Sequence, residues 1–413
     1  MKLNWELKKV KDFAEVVGGG TPSTEKSDYW GEGISWISPR DLSNYPSKYI
    51  KKGNRSITRL GIENSSAKLL PSNSLLFSSR APIGYLAINT VPVTTNQGFK
   101  SLIPKKGFYT EYLYYLFKNN IKYLESYSAG TTFKEISGSV IKEIEFLIPG
   151  YNEQIKISNV LSILDEKIEL NRNMNKTLQE LAKMLFKSWF VDFDPVKSKK
   201  AGESVGLSKD ISDLFKDSFK DSIFGKIPQS WKISKFGELL IPKRGKIITK
   251  KTIIPGEIPV VAGGINAAYY HSKSNATSPV VTISASGNAG YVNLFYNDIW
   301  ASDCSYINKN VTDFVYFSHS FLKVNQNKIF HLRHGAVQQH INPKDLMGLD
   351  IVLPPISLIS KYEQIVTPLH NKISNNLNEI NTLSNLRDLL LPKLISGELK
   401  ITDSQKLIDE VGV

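Results

Sequence analysis

The chain has 413 residues, 41% hydrophobic and 22% charged, an ordinary soluble composition with room for two or three domains that each bury a core. Lysine and arginine outnumber aspartate and glutamate 52 to 39, a formal net charge of +13, which points to a polyanionic partner and to nucleic acid before an anionic membrane. No apolar run approaches the roughly 20 residues needed to span a bilayer, the opening MKLNWELKKVKDF lacks the apolar core of a signal peptide, and a single cysteine, Cys304, excludes an internal disulfide framework and fits a reducing cytoplasm.

Residues 1–150 read as a first α+β head. Short β-type runs, such as Ser74 to Phe77 and Gly84 to Ile88, alternate with Gly, Pro and Ser breaks, and one helical stretch spans Thr110 to Tyr127. The strands are too irregular for a doubly wound sheet. Residues 151–192 predict a long helix, with Leu161, Leu164, Ile168, Asn171, Asn175 and Leu178 at alternating spacings of three and four, then Ala182, Leu185 and Trp189. The uninterrupted run from Glu153 to Phe190, at 1.5 Å per residue, is about 55 Å long. Residues 193–225 read as a linker, enriched in lysine and serine at Lys197 to Lys200, with an amphipathic stretch around Leu214 to Phe224. A second head occupies 226–355. A second long helix lies within 356–400, carries its seam on Val366, Leu369, Ile373, Asn376, Ile380, Leu383, Arg387 and Leu390, and is expected to stop at Pro392. Residues 401–413 form a tail.

The chain repeats itself. Residues 130–190 align without a gap on 335–395, an offset of about 205, with Gly130 on Gly335, Pro149 on Pro354, Asn171 on Asn376 and Leu185 on Leu390. The second head's Trp231 echoes Trp5, Gly245 stands where Gly19 does, and Leu75 to Tyr85 parallels Val281 to Tyr291, while the remainder of the heads diverges. Each helix alone would expose an apolar seam, so the two are expected to pack as an intramolecular coiled coil. In an antiparallel pair Asn171 and Asn376 would meet and set the register; the alternative is that each faces water at the seam's edge. Two similar heads with different contents suit a target in two parts.

Catalytic signatures are missing. There is no GxxxxGK[ST] loop, no GxGxxG after a strand, and no DPPY or NPPF tetrapeptide of the kind that holds a flipped adenine in amino-methyltransferases. His331, His334 and His340 lack a neighbouring cysteine or an HExxH frame, which favours surface or phosphate-facing roles over a metal. What remains is binding chemistry. The first head offers Arg40, Lys51, Lys52, Arg55, Arg59, Arg80, Asn96 and Gln97; the second offers Lys243, Arg244, Lys246, Asn266, Asn288 and Arg333. Lysine and arginine neutralise phosphates, and Arg, Asn and Gln can contact base edges bidentately. Arg80 and Asn288 are placed at equivalent points of the repeats. For any single lysine the bland alternative is a solvated surface.

Four segments carry a family resemblance. LFKSWFVDFDPV, Leu185 to Val196, and LRDLLLPKLISGEL, Leu386 to Leu399, resemble the central and distal repeat regions of type I restriction-modification specificity subunits. TNQGFKSLIP (Thr95 to Pro104) and GTTFKEISGSVIKEI (Gly130 to Ile144) resemble that family's first target-recognition domain. The resemblance implies two recognition domains inverted about a pseudo-twofold axis, joined by antiparallel spacer helices. Each domain would read one half of a split, asymmetric double-stranded DNA site, and the helix pair would act as a ruler between the halves. It implies no catalytic residue and no cofactor in this chain. Two modification subunits would carry S-adenosylmethionine and methylate adenine, and restriction subunits would translocate and cut. Trp189, Phe190 and Phe193 are the docking candidates, the alternative being intramolecular packing of the helix end, and the second helix has Leu394 and Ile395 where the first has Trp189 and Phe190. Readings from other classes are a coiled-coil scaffold whose basic surface only confers solubility, and an enzyme acting alone on DNA.

Overall fold

A long helix with a continuous apolar stripe persists in water only when the stripe is covered, and the observed chain covers both of its stripes with each other. The computed structural model describes residues 5–130, 134–335, 339–401 and 403–404. Its two long helices span Tyr151–Phe190 and Ile356–Ile395, 40 residues each. The chain divides into two compact units, Met1–Arg172 with Asn378–Val413, and Asn173–Leu377. Each long helix therefore starts in one unit and finishes in the other.

In the first unit Leu161, Leu164 and Ile168 share a core with Leu383, Leu390 and Leu394 and with Val10, Phe13, Phe77 and Phe117 of the head. Asp165 meets Arg387 at 2.8 Å and Lys167 meets Glu379 at 3.3 Å, so these helix segments run antiparallel. In the second unit Ala182, Phe186 and Trp189 pack with Leu358, Tyr362 and Val366. There Asn376 Nδ2 donates to Asn175 Oδ1 at 2.8 Å and the Tyr362 hydroxyl donates to the Ala182 carbonyl at 3.3 Å, again antiparallel. The fold is α+β: two heads carried on an antiparallel, intramolecular helix pair.

Both heads follow one topology. In the first, Glu6–Lys9 pairs with Glu145–Ile148 just before the long helix; in the second, Lys232–Lys235 pairs with Asp350–Leu353. The main sheets share an order of four strands, Ala14–Gly18, Lys100–Pro104, Leu75–Ser79 and Ile83–Asn89 in the first head, and Lys243–Arg244, Cys304–Ile307, Val280–Ser284 and Val292–Phe295 in the second; the first head adds Tyr49–Ile50, parallel to Ile83–Asn89, as a fifth. In each, a smaller sheet combines one antiparallel and one parallel neighbour: Trp30–Ile37 lies between Arg55–Ile57 and Thr94–Thr95, and Ile258–Val261 lies between Tyr269–His271 and Trp300–Ala301. Gly19 and Gly245 occupy the same place. A Cβ on either would overlap carbonyls at the end of the parallel strand, those of Thr95 and Asn96 or of Ala301 and Ser302.

Four expectations need correction. Asn376 pairs with Asn175 rather than with Asn171. In the repeat, Asn175 corresponds to Ile380, an apolar side chain that offers no acceptor. Asn171 is 2% exposed and its amide nitrogen has no partner among the described residues. The second helix does not stop at Pro392: burial of Leu390, Leu391, Leu394 and Ile395 carries it to Ile395, and Gly397, with φ of 74°, supplies the left-handed turn beyond it. The stretch from Thr110 breaks into Thr110–Asn119 and Ile121–Glu125, with Asn120 folding its side chain onto the Leu116 carbonyl at 2.8 Å. The 193–225 segment is folded, with a helix at Asp194–Lys200, a hairpin of Phe219–Ser222 and Gly225–Pro228, and Val196 and Phe215 buried.

Trp189 and Phe190 also turn inward. Trp189 packs edge-on against Phe215 at 5.2 Å, and Phe190 touches Phe317, Tyr362 and Trp231 at 5.1, 5.3 and 5.8 Å. Both are buried, so they hold the second head to its helix and present no surface for docking. Phe193, half-buried at the start of Asp194–Lys200, borders an open recess with Lys197, Lys200 and Phe224 and keeps a partly exposed ring.

The heads are seated on their helices by different chemistry. In the first unit Asp165 accepts from the Tyr115 hydroxyl at 2.7 Å and from Arg387 at 2.8 Å, and Lys48 donates to Ser162 at 2.7 Å. Burial raises the Asp165 pKa, but Lys118, the Tyr115 hydroxyl and Arg387 together outweigh it and hold the carboxyl below its usual range. In the second unit the Glu363 carboxylate accepts from the Phe317 backbone at 2.7 Å, and burial pushes its pKa up to about 7.

Two outcomes follow from these contacts. Asn171→Leu should raise stability by about 1–3 kcal/mol, because it removes an unpartnered buried amide, whereas Asn376→Leu should lower it by a similar amount by stranding Asn175; thermal melts of the two variants settle the register. Glu363 has a folded pKa of about 7 against 4.5 for the free group. Between those values the folded chain holds more protons, so stability falls as pH rises through that window. Glu363→Gln should flatten that part of the melting profile; an unchanged slope would remove Glu363 as its cause.

Candidate nucleic-acid interface

The first head gathers its basic residues on the loops around the small sheet. Lys51, Lys52 and Arg55 line one open groove with Trp30, Glu32 and Ser35. The Arg55 guanidinium lies 3.4 Å over the Trp30 ring, and Trp30 meets Trp36 edge-on at 5.1 Å. The groove exists because Trp30–Ile37 bulges: Trp30 and Ile34 both pair with Ile57. Gly33, with φ of 154°, lies under the Ile57 carbonyl, which a Cβ would approach to 2.6 Å. Arg55 is exposed, so a cation already spread over an aromatic face is presented to solvent.

Arg40 belongs to the same surface. It sits exposed in Pro39–Leu42, whose Asp41 accepts from the Ser38 backbone at 2.8 Å and from the Asn54 backbone at 2.8 Å. One carboxylate thus ties the Arg40 turn to the Lys51–Arg55 loop. Asn96 is used internally, its Oδ1 accepting from Gly98 at 2.9 Å, whereas Gln97 is exposed and takes a hydrogen bond from Thr21. Arg59 stands on a separate short helix, pairs with Glu63 at 3.2 Å and remains 91% exposed, a contact that holds it weakly. Arg80 is engaged at 3.1 Å by Glu135, which also lies 3.5 Å from Lys100.

In the second head Lys243 and Arg244 form the outer strand of the main sheet, and Arg244 pairs with Asp303 at 2.8 Å. Lys246 follows on the next turn, exposed, with its carbonyl accepting from the Trp300 indole at 2.8 Å. The first head makes the same closure with a different residue: the Trp36 indole donates to the Gly20 carbonyl at 2.9 Å. Asn266 and Asn288 are exposed, and the Asn288 backbone donates to Gly263 at 2.9 Å. Arg333 is committed within the head, donating to the Ala289 carbonyl at 2.7 Å and to Gln339 at 3.2 Å while lying 4.0 Å over Phe330. Arg80 and Asn288 are not equivalent. Ile136 donates to Ser79 as Ile341 donates to Ala285, which sets Ser286 opposite Arg80. His334 lies 3.2 Å from Asp345, and His331 bonds the Asn327 carbonyl at 2.7 Å. Among the described residues no three His, Cys, Asp or Glu side chains gather as a metal site requires.

The structure thus brings together Arg40, Lys51, Lys52 and Arg55 in one head, and Lys243, Arg244 and Lys246 in the other. It commits Arg80, Asn96 and Arg333 to internal bonds. Sequence reasoning missed the Trp30 platform and the exposed Tyr270, Ile247 and Ile254. The signal for Trp30 was present in Trp30-Gly-Glu-Gly, a bulge sequence closed six residues on by Trp36.

A model for the type I restriction modification DNA specificity domain matches residues 2–180 and 228–385. The chain belongs to the type I restriction-modification specificity subunits. The MjaIX specificity subunit of Methanocaldococcus jannaschii is 34% identical, covering 97% of this chain and 94% of that one. The HindI specificity subunit of Haemophilus influenzae is 23% identical over 66% of this chain and 72% of its own. The crystal structure of a type I S subunit from M. genitalium shares the fold, with a TM-score of 0.64 at 18% identity, covering 95% of this chain and 96% of that one. The family is one of DNA recognition. Among the described residues no helix is long and apolar enough to cross a membrane.

Exchanging Lys52 for Ala should weaken binding to specific and non-specific duplexes alike and lower the salt slope of binding by about 1. Arg80→Ala should instead lower the melting temperature with little change in that slope. Filter or fluorescence titrations at several salt concentrations, alongside melts, separate the two effects.

Proposed function

We propose that this specificity subunit reads an asymmetric, two-part DNA site, with residues 1–150 engaging one half and residues 226–355 the other. The first head would present Arg40, Lys51, Lys52, Arg55 and Gln97 to the duplex, and the second Lys243, Lys246, Asn266 and Asn288. Lysines contacting phosphates position the duplex, while Arg55, Gln97 and the exposed asparagines are suited to base edges. Two methyltransferase subunits, with S-adenosylmethionine, and restriction subunits would supply the chemistry, and the target places the complex in the cytoplasm. Phe193 and the recess beside it are the remaining docking candidate on the helix ends.

One observation carries this reading. The same strand order is built twice, yet the loops on it differ: an aromatic platform with a stacked arginine in one head, and a lysine-rich strand edge in the other. A scaffold needing only solubility has no use for that difference. The test is selection from a random duplex library by the complete complex, followed by exchange of residues 1–150 for another recognition head. The exchange should alter one half of the selected motif and leave the other intact. Selection without any motif would favour the scaffold reading, and a change in both halves would end the modular one.

A further inference from the structure

The second unit holds a cavity that its own repeat explains. It measures about 450 Å³ and is lined by Ala182, Phe186, Tyr296, Ser320 and His370, with Lys183 and Lys323 among its outer residues. All of these lie within Asn173–Leu377. The helix Val315–Val324 corresponds to Thr110–Asn119, and the long helices correspond residue for residue at the offset of 205. Ser320 therefore stands where the first unit has Tyr115, His370 where it has Asp165, and Ala182 where it has Arg387.

In the first unit that position is filled. Tyr115 is fully buried, and both its hydroxyl and the Arg387 guanidinium donate to Asp165, at 2.7 and 2.8 Å. In the second unit a tyrosine has become a serine and an arginine an alanine, and the space left is the cavity. The carboxylate is gone as well. Lys118, the counterpart of Lys323, lies in the field of Asp165; the second unit has His370 at the Asp165 position, and the Lys323 ammonium lies 4.7 Å over the Tyr291 ring.

His370 gives the second, independent sign. It is 3% exposed, stacked on Tyr316 at 3.9 Å, and its Nε2 has no partner among the described residues. The Tyr296 hydroxyl lies 2.8 Å from Nδ1. Burial raises the pKa of that hydroxyl and lowers the His370 pKa to about 4. The ring is then neutral, and whichever nitrogen holds its proton, Nε2 is a buried polar atom without a partner among the described residues. A buried polar atom of this kind calls for a partner. The apolar walls and volume fall in the range of roughly 300–1,000 Å³ occupied by small-molecule pockets.

We propose that this cavity binds a small aromatic acid, whose ring lies against Phe186 and Ala182, whose anionic group sits between Lys183 and Lys323, and which offers a hydrogen-bond partner to His370 Nε2. The anion can be a carboxylate or a phosphate ester; both answer the lysines. The site is separate from the basic loops proposed to meet DNA, so its occupancy is testable without DNA.

The test uses the full chain with indole-3-carboxylate, phenyl phosphate and neutral indole-3-carboxamide as probes, followed by ligand-observed NMR and calorimetry. One acid is expected to bind saturably at one site per chain and to outbind the amide by about tenfold. Which acid wins tells carboxylate from phosphate. Lys323→Gln should remove that preference. Ala182→Phe should abolish binding with the melting temperature retained, and Ser320→Tyr provides a second occlusion should the first misfold. Absence of saturable binding by either acid up to about 10 mM, or binding that survives both occluding variants in folded protein, overturns the proposal.

Discussion

The pairing of the two long helices is the constraint on which everything else rests. Leu161, Leu164 and Ile168 of the first helix are covered partly by Leu383, Leu390 and Leu394 of the second, residues more than two hundred positions later. The first unit is therefore incomplete until the chain has returned to it. Asp165 makes the dependence sharper. Its carboxylate is buried, and one of the groups that keeps it ionised, Arg387, arrives only with the returning helix. A buried charge stripped of its partner destabilises by several kcal/mol, so the early unit cannot settle into its final state alone. The second unit carries no such debt in its own sequence order, since Asn173–Leu377 is continuous.

That asymmetry has a chemical counterpart. The first head seats on its helices through an ionic and hydroxyl network of Lys48, Tyr115, Asp165 and Arg387. The second uses aromatic packing around Phe186, Trp189, Phe190 and Tyr362, with Glu363 capping the backbone at Phe317. Both solutions orient a head from the same helix positions. The repeat thus conserves a geometry and lets the interactions that fix it drift. The cavity beside His370 is one product of that drift.

The long-range plan was legible because seams and repeats are periodic. Apolar residues at alternating spacings of three and four mark a covered stripe, and an unbroken offset of 205 marks a duplicated unit. What periodicity cannot supply is register. Asn171 and Asn376 are equivalent in sequence, but equivalence does not require contact, and Asn376 meets Asn175 one turn away. Pro392 read as a stop because local propensity favours one; tertiary burial of Leu394 and Ile395 overrode it. Trp189 and Phe190 read equally well as docking surface or core, since an aromatic at a helix end has no sequence mark of what covers it. Among the basic residues, composition announced the class of partner, yet nothing local distinguished Arg55, stacked and exposed, from Arg333, committed to the Ala289 carbonyl.

The deeper reason lies in how the heads diverged. The Gly20 carbonyl takes the indole of Trp36, from the middle strand of the small sheet; the equivalent Lys246 carbonyl takes the indole of Trp300, from the neighbouring parallel strand. The turn needs an acceptor satisfied and an aromatic wall behind it, and either strand can provide both. A sequence alignment sees two unrelated tryptophans, whereas the fold sees one requirement met twice. Where the scaffold demands only a hydrogen bond at a point in space, the donor can move between strands, and the loops above it are released to carry different side chains. Lys246 itself shows this: it stands where the first head has Gly20, adding a cation to the turn without disturbing the closure beneath it. Recognition chemistry in such a head is therefore free to vary at the positions that sequence patterns constrain least.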